Sequence, residues 1–145
     1  MEHPSFLRRA FAWFLDNLVV GFLAFVVLWV TDGATGVITA LGEPAADPFA
    51  VLGSFHIVLL VLAIQFVYYG ALWSRDGQSL GKRAMGLRVA GRDGGLLSFP
   101  SAGLRGTFGY WVSGTLFYLG FLWALFDSRD ETWHDKLFNS EVVVA

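Results

Sequence analysis

Residues 10–31 and 48–74 form two apolar runs that contain a single charged side chain, Asp16. A helix needs about 20 apolar residues to cross the hydrocarbon core of a bilayer, so both runs qualify as spans. A third run, 106–126, carries no charge but is diluted by Gly106, Thr107, Gly109, Ser113, Gly114, Thr115 and Gly120. The composition fits these runs: 55% hydrophobic, 17% aromatic and only 15% charged, with mean hydropathy +0.56. Soluble domains carry about 25% charged residues. The chain therefore reads as a single all-α integral membrane domain over 1–145, with spans at 8–31 and 49–73. A loop at 74–101, a third apolar segment at 102–127 and a tail at 128–145 complete it.

Arg8-Arg9 ahead of an apolar run resembles a twin-arginine signal. The length of the run, its internal acid and the lack of a small-x-small cleavage site favour a permanent first span. Lys and Arg are absent between the first two runs and concentrated at the N-terminus and over 75–105. By the positive-inside rule the N-terminus and the 74–101 loop face the cytoplasm, and the acidic loop faces outward. The expected location is the bacterial cell (inner) membrane. A net charge of −2, divided into small segregated patches, does not suit nucleic-acid binding. With no cysteine, disulfides, thiolate metal sites and cysteine nucleophiles are excluded. His3, His56 and His134 lack zinc-ligand spacing, so neither a metal nor a cofactor is expected.

Within the loop, alternation over 86–90, turn residues at 91–95 and a second apolar stretch at 96–99 predict a small cytoplasmic β-hairpin. The strand-like 141–144 is expected to join it. That pairing returns the C-terminus to the cytoplasmic side, so the third segment is read as a re-entrant hairpin breaking near 113–115. The alternative is a full third span.

Asp16 lies inside a span, where a carboxylate costs about 2.5–3.5 kcal/mol on insertion scales. It is either a cation or proton site or a buried ion pair that locks helices. Arg9 is two turns away on the same face, and Arg9, Asp16, Arg105 and Asp135 are expected to form one charged network. Asp135 is expected to pair with Arg83 or Arg105, and Arg8 to act as a snorkelling anchor. Gly77-Gln-Ser-Leu-Gly81 matches G-x-S-x-G, but a span precedes it, Lys82-Arg83 follow, and no ordered Asp and His partners are evident. No catalytic residue is assigned. The glycines read as a turn at the membrane surface, with Lys82 and Arg83 near anionic head groups. His56 reads as a neutral hydrogen-bonded histidine and Gln65 as interhelical glue. Tyr68, Tyr69, Trp73 and Trp111 read as an interfacial belt.

These residues resemble the RDD family of small bacterial membrane proteins over nearly the whole chain. The resemblance rests on Arg9, Ala12 and Asp16, on Gly77-Gln-Ser-Leu-Gly81-Lys82-Arg83-Ala-Met-Gly86-Leu-Arg-Val89, on Arg105, and on Thr132-Trp-His134-Asp135-Lys-Leu137. The chain departs at Phe138-Asn139-Ser140, where the family has Ala-Gly-Thr, and at the acidic residues Asp127, Asp130 and Glu131. The resemblance implies an oligomer that exchanges monovalent cations for protons, since two spans are few for a transporter. The alternative is a non-enzymatic accessory or assembly protein with a structural charged network. Expected partners are the lipid bilayer, a second copy or another membrane protein, and, for exchange, a monovalent cation.

Overall fold

The structure is a computed structural model, described here for residues 4–42, 48–115, 119–127 and 131–145. Two long helices dominate it, α1 (Phe6–Gly42) and α2 (Pro48–Arg75). After them come α3 (Leu80–Ala84), β1 (Leu87–Gly91) and α4 (Phe99–Leu104). A π-helical turn, Arg105–Gly109, leads into α5 (Tyr110–Thr115). Then follow α6 (Leu119–Leu122), a 3₁₀ turn (Trp123–Leu125), α7 (Trp133–Leu137) and β2 (Ser140–Val144).

Within α1 and α2, Phe6–Thr31 and Phe55–Arg75 are long and apolar enough to cross a membrane. Only 28% and 17% of their most apolar stretches is buried inside the protein. A core helix of a soluble domain would be mostly covered. Here Phe11, Phe14, Leu18, Phe22, Phe25 and Trp29 face outward, which suits a lipid solvent. What α1 does bury is a ridge at a four-residue interval: Ala12, Asp16, Val20, Ala24 and Leu28. Such i, i+4 ridges pack into the grooves of neighbouring helices. Asp16 thus sits in the packing seam, on the protected side.

α3 lies across α1 because Gly81 has no side chain. A Cβ there would stand 2.1 Å from the Ala12 carbonyl oxygen and 2.9 Å from Asp16 Cγ. Gly77 meets a different requirement: its φ is +77°, a region open to glycine. It turns the chain so that its carbonyl accepts the Val89 amide at 2.7 Å. α4 packs on α2, with Gly103 close to Phe66.

The two strands form one antiparallel sheet, with Leu87 opposite Val144 and Gly91 opposite Ser140. The expected 86–99 hairpin is not present. Its turn does form, closed by the Gly94 amide on the Gly91 carbonyl and the Gly91 amide on the Gly95 carbonyl. Its second arm instead runs into α4, with Ser98 at the N-cap position and Pro100 in the first turn. Proline cannot donate to a ladder but is well suited to a helix start. The vacated partner position is taken by β2.

Among the described residues the third apolar segment carries a series of short helices. A Cβ on Gly120 would lie 2.5 Å from Ser113 Cα. In a continuous helix residues seven apart are separated by about 10 Å, so α5 and α6 lie against each other and are not successive turns of one helix.

The aromatic belt expected from sequence is divided. Trp111 is outward, but Tyr68, Tyr69 and Trp73 belong to the buried core. Tyr69 lies tilted by 35° against Trp73 with ring centroids 4.4 Å apart, and Tyr110 meets both edge-on. Sequence position alone does not distinguish an interfacial aromatic from a core one at a helix end.

Candidate functional site

Two fully buried carboxylates, Asp16 and Asp135, organise the core, and they do so separately. Asp16 projects from α1 at the start of α3. Its Oδ1 accepts the Tyr68 hydroxyl at 2.8 Å and the Gly81 amide at 2.8 Å, and its Oδ2 accepts the Ser79 hydroxyl at 2.6 Å. The Leu80 amide in turn donates to the Tyr68 oxygen at 3.1 Å. Ser79 occupies the N-cap position of α3 but makes no cap of its own. The carboxylate of α1 supplies the acceptor that an N-cap side chain ordinarily provides. This also disposes of the G-x-S-x-G resemblance: the Ser79 hydroxyl is a buried donor to a carboxylate, not an exposed nucleophile.

Asp135 begins a second cluster at the start of α7. Thr132 and Asp135 form a capping box: the Thr132 amide and hydroxyl donate to Asp135 Oδ2 at 3.0 and 2.7 Å. Onto the same carboxylate converge Arg9 from α1, at 2.5 Å, and Arg105 from the π-turn. Arg105 also donates from Nε to Ser140 of β2 at 2.8 Å, and its guanidinium lies 4.8 Å from the centroid of the Trp73 ring. Asp135 therefore ties α1 and the π-turn to α7, and Arg105 carries the connection on to Ser140 of β2 and Trp73 of α2. The π-turn leaves room for this, because Gly106 presses directly on the Tyr69 ring.

The expected network is thus split. Arg9, Arg105 and Asp135 come together, while Asp16 is held by neutral donors, with no ion pair among the described residues. Arg83 does not reach Asp135; it pairs with Asp76 at the surface at 2.5 Å. Lys82 does not point to head groups alongside it but turns inward, 3% exposed. Its ammonium lies 3.4 Å from the Tyr110 hydroxyl and 5.2 Å from the Trp73 ring centroid. Arg8 reaches the Met85 carbonyl at 2.7 Å, so it caps the end of α3 as well as marking the start of α1. His56 is exposed on α2 and has no hydrogen-bond partner among the described residues.

His134 sits between Ser113 and Thr132, whose hydroxyls lie 2.9 Å from Nδ1 and 2.9 Å from Nε2. Ser113, His134 and Asp135 superficially line up as a triad. Asp135 Oδ1 stands 3.9 Å from Nε2, beyond hydrogen-bond reach, and both Ser113 and Asp135 are fully buried. Burial pushes the His134 imidazole well below its ordinary value; Arg105, Arg9 and Lys82 add to the effect against the opposing pull of Asp135. Burial by itself would raise Asp135, but Arg105, His134 and Arg9 together hold it far below the usual carboxylate range.

Both shifts favour the folded state at neutral pH and weaken it in acid. The His134 contribution is complete above its ordinary value of 6.5 and is lost as pH falls towards the lowered folded value. The Asp135 contribution is complete above 3.8 and is lost below it. Unfolding midpoints measured in micelles across pH should therefore fall in two stages, and His134→Gln should remove the first. A profile that is flat on both sides of 6.5 would contradict this reading.

Between α1, α3, α7 and β2 lies a cavity of about 160 Å³, bordered by Arg9, Trp13, Lys82, Tyr110, Thr132 and His134 among others. Several residues that build these clusters escape sequence reading. Thr132 was detectable, since Thr132-Trp-His-Asp135 fits the capping-box pattern. Tyr68, Ser79, Ser113 and Ser140 carry no local signal, because their roles depend on which elements meet.

Over residues 3–139 the chain matches the RDD family. It is 28% identical over 155 residues to the uncharacterized protein YxaI of Bacillus subtilis (strain 168), covering 99% of each chain. No solved structure matches it. Within Phe138-Asn139-Ser140, Asn139 has φ +48°, a conformation that asparagine tolerates better than most side chains. The acidic residues nearby are accommodated too: Glu131 pairs with Arg92 and Asp127 with Lys136, while Asp130 lies outside the described residues.

Proposed function

The chain belongs to the RDD family, and from that premise we propose that it is a non-enzymatic accessory or assembly protein of the bacterial cell membrane. The observation that carries this reading is the saturation of both buried acids by fixed donors. Asp16 receives three hydrogen bonds from α2 and α3, and Asp135 is neutralised by two guanidinia. A carboxylate that exchanges a cation for a proton must release its partners each cycle. Here, release would unfasten α3 from α1, or α7 from the rest of the fold.

In this reading the N-terminus and α3 lie on the cytoplasmic side, following the Lys and Arg placement. The third segment enters and leaves on that side, a reading supported by the close approach of Gly120 to Ser113 and by the pairing of β1 with β2. Broken helices at depth are tolerated where protein covers them. The outward apolar faces of α1 and α2 contact lipid, a second copy or a membrane partner.

The competing reading, monovalent cation/proton exchange by an oligomer, has in its favour the position of Asp16 inside a span. Proton flux driven by a sodium or potassium gradient in proteoliposomes separates the two. Wild-type protein is expected to give no flux above empty vesicles. Flux that Asp16→Asn abolishes at equal reconstituted amounts would reverse the choice.

A further inference from the structure

The cavity of about 160 Å³ has a floor and a mouth that differ in exposure. Lys82, Thr132, His134 and Val142 are buried and form the floor. Phe6, Ala10 and Trp13 of α1 are half-buried, and Leu122 of α6 is 37% exposed; these form the mouth. Their sequence neighbours Leu7, Phe14 and Trp123 are exposed. The mouth thus lies among side chains that meet the bilayer.

The lining is almost wholly apolar although it includes Arg9, Lys82, Thr132 and His134, because their polar atoms are engaged elsewhere. Arg9 is directed onto Asp135, and the Lys82 ammonium onto the Tyr110 hydroxyl and the face of Trp73. The Thr132 hydroxyl donates to Asp135, and the His134 nitrogens lie against the Ser113 and Thr132 hydroxyls. These side chains turn alkyl stems, a methyl group and ring carbon to the cavity. Water needs about two to four polar partners to settle in such a space, and an apolar cavity of about 150 Å³ stays dry yet admits a benzene ring. Folded interiors keep few voids larger than a water molecule, so this one calls for an apolar occupant.

We propose that the cavity binds one acyl chain of a membrane phospholipid, taking about six of its carbons. The chain enters between α1 and α6, over Trp13 and Leu122, and ends against Val142 and the His134 ring. Recognition rests on the tail and not on the head group, since no charge is directed into the space. A seated chain fills the gap between α1, α7 and β2, the elements that Arg9, Asp135 and Arg105 hold together. The site is independent of whether Asp16 exchanges ions.

The test uses the full chain reconstituted in phosphatidylcholine vesicles that include phosphatidylcholine with an alkyl diazirine in one acyl chain. After irradiation, adducts are mapped by peptide mass spectrometry. Lipid that merely surrounds the protein reaches the outward Phe14 and Phe22, whereas only a chain inside the cavity reaches Val142 and His134. Adducts on both sets are expected in the wild-type protein. Ala10→Phe fills the cavity from α1; it should lose the floor adducts and keep those at Phe14 and Phe22. Leu122→Trp narrows the mouth from its exposed side and should do the same, and it carries the test if Ala10→Phe does not fold. Wild-type labelling confined to outward side chains would mean that protein, from this chain or a second copy, occupies the space, and would overturn the proposal. Floor adducts undiminished in the folded variants would overturn it as well.

Discussion

Asp135→Asn is expected to destabilise the protein by about 3–5 kcal/mol, the range found when one partner of a buried ion pair is removed. The substitution keeps the size of the side chain and one carbonyl acceptor. It removes the charge that Arg9 and Arg105 share, and it places an amide donor against a guanidinium. The two arginine side chains are 12% and 0% exposed, so water cannot replace the lost carboxylate at Arg105. Denaturant titration in mixed micelles measures the loss. Asp76→Asn is the matched control: its pair with Arg83 is 44% and 53% exposed, and such pairs contribute under about 1 kcal/mol. Equal losses from the two variants would mean that burial of the Asp135 cluster has been misjudged.

The second large effect is expected at Gly81. Alanine there adds a methyl group 2.1 Å from a backbone carbonyl of α1 and 2.9 Å from the Asp16 carboxyl carbon. Neither atom is the end of a flexible chain, so α3 must move away from α1. That separation lengthens the Ser79 and Gly81 hydrogen bonds to Asp16, which are 2.6 and 2.8 Å in the native fold. Overpacking alone costs about 1–3 kcal/mol, and loss of donors to a buried carboxylate adds to it. Gly21→Ala is the contrast, since a Cβ there meets nothing within 4 Å. Its stability is expected to be unchanged or slightly raised through helix propensity. Comparable losses at both glycines would show that the close approach of α3 to α1 is not what Gly81 provides.

The sequence made some of this legible and hid the rest for physical reasons. The two long helices follow from apolar length alone, and the strand at 140–144 from its valines. The hairpin failed because Leu96–Phe99 and a true strand have the same local pattern, while the deciding residue, Pro100, acts one step later as a helix starter. Arg9 and Asp16 share a helix face in sequence, yet seven residues separate them by about 10 Å along the axis. Each therefore meets a different element, Arg9 reaching α7 and Asp16 reaching α3. Lys82 and Arg83 are adjacent and chemically alike, but the short helix α3 sends one inward and the other to Asp76. Only the packing of α3 on α1 decides which is which.

The central claim is that Asp135 acts as a clasp between the first helix and the C-terminal elements. A double-mutant cycle on folding stability, with Arg9→Met, Asp135→Leu and the two combined, tests it most directly. Contacting charged residues in one network show coupling of about 0.5–3 kcal/mol, and a value near the upper end is expected for this pair. Losses that add to within about 0.5 kcal/mol would mean that the two residues do not act on each other, and would contradict the clasp.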